Sequence, residues 1–169
     1  MGKITQVTVT FQTRPDPNNP GQTQIALAMG AAAQILAANG VALNVSITVD
    51  NLTADAMRAQ NLPLPAPVNC PALVDTGASG LALDRTLVQQ LALVKKGITK
   101  SGTAAGVRLS PIYFVSLEFP GTEVRSYPLL RATEVDLQGQ PFKCLIGRET
   151  MMHWHFHYNG QAGVFSIAD

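Results

Sequence analysis

The sequence predicts a single, mainly β domain. Short apolar runs with alternating side chains recur about six to eight times, whereas helical spacing appears only in about two or three short stretches. Strands and helices do not follow one another in the βαβ rhythm of a parallel sheet. The chain has 169 residues, 46% of them hydrophobic and 14% charged, a balance that supports one domain with a sizeable core. Only 6% are aromatic, so aliphatic side chains must fill most of that core.

The first strand is expected over Ile4 to Phe11, where Val7, Val9 and Phe11 alternate with threonines. Pro15, Pro17, Pro20 and Gly21 then break regular structure. An Ala-rich helix follows from about Ile25 to Ala38, ended by the pair Asn39-Gly40. Val41 to Val49 carries the cleanest alternation, with Val41, Leu43, Val45, Ile47 and Val49 on one face. A short helix from Thr53 to Gln60 comes next, with Thr53 as its expected cap. Pro63, Pro65, Pro67 and Pro71 argue for an extended surface connector rather than a central strand, leading into an apolar strand that ends at Asp75.

Leu81 to Leu83 reads as a strand, and Asp84 as the cap of a helix reaching about Leu91. Residues 97 to 107 are rich in Gly, Ser, Thr and Ala, the composition of a hairpin or lid with little to bury. Tyr113 to Phe119 and Val124 to Leu130 form a hairpin around Pro120-Gly121. Phe142 to Ile146 is another apolar strand, followed by a short helix from about Glu149 to His153. Trp154 to Tyr158 and Gly163 to Ile167 flank Asn159-Gly160, a hairpin-turn signal.

The formal net charge of +1 gives no electrostatic case for nucleic acid or an anionic membrane. No segment approaches the length of a membrane-spanning helix, and the N-terminus lacks a secretory pattern, so a cytoplasmic location is expected. Cys70 and Cys144 lie in or beside apolar strands, where buried reduced thiols are expected. His153, His155 and His157 are expected to face solvent, alternating with Trp154, Phe156 and Tyr158 turned inside. His155 and His157 share a strand face at metal-ligand spacing, but no nearby Cys, Asp or Glu completes a set, so neither metal nor cofactor is expected.

Chemistry concentrates at Ala72-Leu-Val-Asp75-Thr76-Gly77-Ala78-Ser79. An acid directly after an apolar strand is unusual, because an unpaired buried carboxylate is costly. The hydroxyl and glycine that follow suit a tight loop holding that carboxylate at one point. Farther on, Leu145-Ile146-Gly147-Arg148-Glu149 follows the glycine-rich segment. Together these motifs resemble the two signatures of retropepsin-like aspartic proteases, with the Ser101 to Gly106 segment where that family places its flap. The resemblance spans about residues 41 to 168 in one register, including the closing Phe156-His-Tyr-Asn-Gly and Gly163-Val-Phe-Ser-Ile patterns. Glu149 stands where the family has Asp or Asn.

The resemblance implies a single-lobe closed β fold with short helices and an active site at a two-fold dimer interface. It divides the chain into an unassigned extension, residues 1–40, and a retropepsin-like domain, residues 41–169, with an insertion at about 50–71. The extension is open to three roles: an added edge strand and helix, a part of the dimer, or a removable segment. The implied activity is aspartic endopeptidase action on extended peptide or protein substrates with apolar side chains around the cut. Asp75 from each of two copies would flank a water, since Asp-Thr-Gly occurs once in the chain and Asp136, its nearest imitation, reads as a surface turn. Carboxyls that close cannot both ionise and hold one proton between them. Thr76 would lock the two loops, and Gly77 would let backbone approach the dyad. Ala78, Ser79, Ser101, Gly102 and Thr103 would contact substrate. Gly147 and Arg148 would support the loop, Arg148 either bracing it through an acidic partner or, alternatively, capping carbonyls near the helix start or pairing elsewhere. A non-catalytic peptide-binding or dimerisation module is the alternative.

Overall fold

The computed structural model describes residues 4–7, 27–103 and 106–169. The expected break at Pro15 to Gly21, the outer ends of the first strand and helix, and residues 104–105 of the glycine-rich segment lie outside these. The described elements are β1 (Ile4–Val7), α1 (Leu27–Asn39), β2 (Val41–Val49), α2 (Asn51–Ala59), β3 (Val68–Val74), β4 (Leu81–Asp84), α3 (Arg85–Gln90), β5 (Gly97–Thr103), β6 (Gly106–Glu118), β7 (Tyr127–Val135), β8 (Cys144–Ile146), α4 (Arg148–Met151), β9 (His155–Asn159) and β10 (Val164–Ala168).

Seven strands are hydrogen-bonded in the order β2-β3-β8-β4-β7-β6-β5, and β2 also pairs with β6. That extra pairing closes six of the strands into a ring, leaving β5 attached to the outer half of β6. This is the mainly β, closed architecture expected. Val45, Ile47, Leu83, Val115, Leu117 and Ile146 meet inside it with no exposed surface, each burial stabilising the fold by roughly 1.5–3 kcal/mol. The alternation of β2 fails at Ser46, which is buried where the strand lies between Asn69 of β3 and Glu118 of β6.

A second, three-stranded sheet runs β1-β10-β9, so part of the N-terminal extension pairs with the chain's last strand. Leu36 of α1 joins the main core. Gly163 presses against the backbone of the same helix, leaving no room for a β-carbon.

Four local expectations are corrected. Asp50, not Thr53, caps α2: its Oδ1 accepts from the Thr53 backbone N–H at 3.0 Å, and Thr53 Oγ1 donates to Oδ2 at 2.6 Å. A carboxylate accepts both donors and carries charge suited to a helix N-terminus. Pro71 lies within β3, a strand with neighbours on both sides. Pairing with β8 begins only at Ala72, so the missing N–H costs nothing on that side, while the Pro71 carbonyl accepts from Lys143 N–H at 2.9 Å. The β9–β10 turn is wider than Asn159-Gly160, because Asn159 pairs with Val164 and its Oδ1 accepts from Ala162 N–H at 3.0 Å. Tyr158, expected inside, is 48% exposed.

Candidate active site

The site is built where β8 passes between β3 and β4. It runs parallel to β3 and antiparallel to β4, so the connection from residue 75 to 80 must cross the end of β8. Gly147 sits at that crossing. A β-carbon there would fall 2.4 Å from the Gly80 carbonyl oxygen, 2.7 Å from Gly80 N and 2.8 Å from the Ala78 oxygen. All three obstacles are backbone, which cannot rotate away; glycine is required for the close approach rather than for its dihedrals, since φ is −91°.

Backbone hydrogen bonds stitch the crossing together. Asp75 N–H donates to the Ile146 carbonyl at 2.9 Å, Arg148 N–H to Ala78 at 3.1 Å, and Glu149 N–H to Ser79 at 2.9 Å. Within the loop, Gly77 N–H donates to Asp75 Oδ1 at 2.8 Å, and Ala78 N–H to the Asp75 carbonyl at 3.2 Å. The carboxylate is thus fixed in orientation while only half-buried, and Thr76 and Gly77 are exposed beside it.

Asp75, Gly77, Ala78 and Ser79 line a cleft of about 760 Å³. Its far wall is the β5 hairpin strand, through Thr99, Lys100, Ser101 and Gly102, and its floor includes Leu81, Ala82 and Leu145. A held carboxylate on a tight loop, facing a β-hairpin across an open cleft, suits activation of a water against an extended chain. A smaller recess near Phe119, Val124 and Ile167 holds about 220 Å³ and no titratable side chain.

Residues 66–150, just over half of the chain, match the model of a family described as aspartyl protease. The chain belongs to the aspartyl protease family. Among solved structures, it is similar to a retropepsin-like aspartic protease from Rickettsia conorii, with 12% identity, 99% of this chain and 94% of that one covered, and a TM-score of 0.49. It is also similar to a Legionella pneumophila protein of unknown function, with 12% identity, 67% and 84% covered, and a TM-score of 0.34. The sequence has no significant match among curated proteins.

For this aspartyl protease family member, the two readings of Arg148 merge into one arrangement. Its guanidinium Nη1 donates to the carbonyl oxygens of Thr76 at 2.6 Å and Gly77 at 3.2 Å. The loop is therefore braced through its carbonyls, with no acidic partner among the described residues. Glu149 keeps the loop contact through its backbone, while its carboxylate lies where a β-carbon on Gly80 would stand, 2.8 Å away. The extra methylene relative to Asp is accommodated because position 80 has no side chain.

The remaining candidates fall as follows. Thr103 ends β5, paired with Gly106. His155 and His157 are exposed on β9, beside Ser166 and Ala168 of β10. Among the described residues no three His, Cys, Asp or Glu side chains gather as a metal-holding group. Cys70 and Cys144 are free and buried. Burial pushes the Cys70 thiol up to about 11, against a smaller opposing effect of Lys143. Burial, aided by the neighbouring Cys70, pushes Cys144 well up. Asp136 is an exposed turn residue whose Oδ1 accepts from Gln138 N–H at 3.0 Å. No described helix is long and apolar enough to cross a membrane.

Sequence reasoning missed the third wall. Arg131, Thr133 and Val135 of β7 also line the cleft. Their spacing of two residues puts them on one strand face, but only the parallel pairing of β7 with β4, Leu81 opposite Ala132, brings that face beside the Asp75 loop.

Proposed function

We propose that this chain is an aspartic endopeptidase that works as a homodimer, with one Asp75 from each copy. The observation that carries the reading is the Asp75 loop itself, pinned by Gly77 N–H and by Arg148 in a chain that has one such loop. The family match supports hydrolytic chemistry. Peptide hydrolysis by this chemistry needs one carboxylate to take a proton from water and one carboxyl to stabilise the developing oxyanion. One chain supplies only the first half.

Thr76 supports the pairing of two loops. Its side chain is exposed and makes no hydrogen bond within the described residues, so its hydroxyl is available to the same loop of a second copy across a two-fold axis. The β5–β6 hairpin would close over an extended peptide and exclude water. Two unbridged thiols are compatible with a reducing compartment, and a cytoplasmic location is part of the proposal.

The test combines a peptide-library digest at mildly acidic pH with sedimentation at several protein concentrations. Cleavage should be blocked by a statine-type inhibitor, vanish in Asp75→Asn, and rise with the dimer fraction. Activity that survives Asp75→Asn would overturn the mechanism. A monomer with full activity would overturn the shared site. A dimer that binds peptides but cuts none would favour the non-catalytic module.

A further inference from the structure

Two cations of the cleft have no acid to answer them. Lys100 of β5 and Arg131 of β7 line the same cleft as Asp75, and both are exposed. Most other described cations are engaged. Arg58 pairs with Asp55, Arg85 with Glu134, Arg125 with Asp169 and Lys143 with Asp84, while Arg148 is committed to loop carbonyls. Among the described residues neither Lys100 nor Arg131 enters an ion pair.

The acids of the cleft do not supply one. Asp75 is oriented by Gly77 N–H, and the Glu149 carboxylate lies against Gly80; neither comes within ion-pair distance of the two cations. The cleft lining carries three cations, Lys100, Arg131 and Arg148, against two acids, Asp75 and Glu149, and an excess of positive charge in a cleft favours an anionic occupant.

We propose that this cleft selects a substrate carboxylate: an Asp or Glu side chain near the scissile bond, attracted by the cations Lys100 and Arg131. The inference rests on the cleft being a peptide-binding site, and it names a substrate class. Leu81, Ala82, Val135 and Leu145 supply apolar wall, so the preferred peptide combines apolar side chains with an acidic neighbour. Side chains of an extended peptide alternate in direction, so an acid aimed at the cationic wall and an apolar residue aimed at the floor can be adjacent.

The probe is a library of ten-residue peptides on an Ala, Leu and Phe background, with Glu, Gln or Lys placed at each position in turn. At pH 6 the Glu side chain is ionised and differs from Gln only in charge. Glu at one or more positions should raise kcat/KM about tenfold over Gln, with the advantage shrinking as salt is raised. The Lys100→Glu/Arg131→Glu double variant should lose that advantage and accept Lys instead. Cleavage without a Glu advantage, or an advantage unchanged in the double variant, overturns the inference. Peptide binding by fluorescence anisotropy separates it from the catalytic reading. If nothing is cut yet Glu peptides bind better than Gln peptides, and only with both cations intact, the protease reading falls and the carboxylate-selecting cleft stands. Equal binding of Glu and Gln peptides overturns the inference without reference to catalysis.

Discussion

Gly147 passes under Gly80 so closely that a single added methyl group would stand 2.4 Å from the Gly80 carbonyl oxygen. This contact fixes the height at which the Asp75 loop crosses β8. Everything that orients the carboxylate is referred to it, because the neighbouring residues Ile146, Arg148 and Glu149 all hydrogen-bond to the loop.

Gly147→Ala should therefore lift the loop off the strand. Overpacking against rigid backbone costs about 1–3 kcal/mol, and the backbone dihedrals add no penalty of their own. Urea unfolding should show that loss, and amide exchange of residues 75–80 should accelerate. An alanine variant with wild-type stability and exchange would contradict the crossing as described.

Arg148→Ala should separate function from stability. The side chain is exposed, and its two carbonyl contacts sum to no more than about 2 kcal/mol of stability. Turnover should fall by about tenfold or more, because loop misplacement is felt at the reacting atoms. Parallel measurement of kcat and urea midpoint checks this, with Arg148→Lys recovering part of the activity by restoring one donor to the carbonyls.

Asp84 is a buried hub away from the cleft. Its carboxylate accepts from the Thr86 backbone N–H at 3.1 Å, from the Thr86 hydroxyl, and from Leu137 N–H at 2.9 Å, with Lys143 Nζ at 3.5 Å. Burial by itself would raise the carboxyl; the hydrogen bonds from Thr86 and Leu137, with the Lys143 charge, outweigh it and hold the group below its ordinary value. A carboxyl lowered in the folded state stabilises fully above its unfolded value of about 3.9, and that stabilisation disappears as pH falls through the lower folded value. Asp84→Ala should cost about 1–3 kcal/mol for each buried donor it strands at pH 7. The gap between variant and wild type should narrow below about pH 3.9, as followed by urea unfolding across pH.

The two thiols should be inert in the folded protein. Cys70 is held up at about 11, Cys144 is also raised, by complete burial, and the thiolate is the reactive form. A colourimetric thiol reagent at pH 8 should label neither site rapidly in buffer and both in denaturant. Rapid native labelling would mean that the β3–β8 pair opens.

The fold was legible in sequence wherever burial repeats with a fixed period. Val41 to Val49, Leu87 to Leu91 and Tyr113 to Phe119 face the core at the positions their alternation or helical spacing predicts. The Asp75 motif and Leu145 to Arg148 were legible because tight loops constrain residue type strongly. Pro71 misled because a proline is excluded only where its missing N–H is needed, and that depends on which strand lies alongside. Tyr158 misled because alternation says which residues share a face, not whether anything covers it.

By itself, the sequence determined an acid held on a tight loop, the Gly-Arg motif that serves it, and the β character of the chain. Each is written in neighbouring residues whose local chemistry admits few conformations. Only the tertiary structure decided that β8 runs between β3 and β4, that Arg148 braces Thr76 and Gly77 through their carbonyls, and that Lys100 and Arg131 face one cleft from strands remote in sequence. Those relations depend on strand order and register. Both are set by how the whole core closes, and no short stretch of sequence carries them.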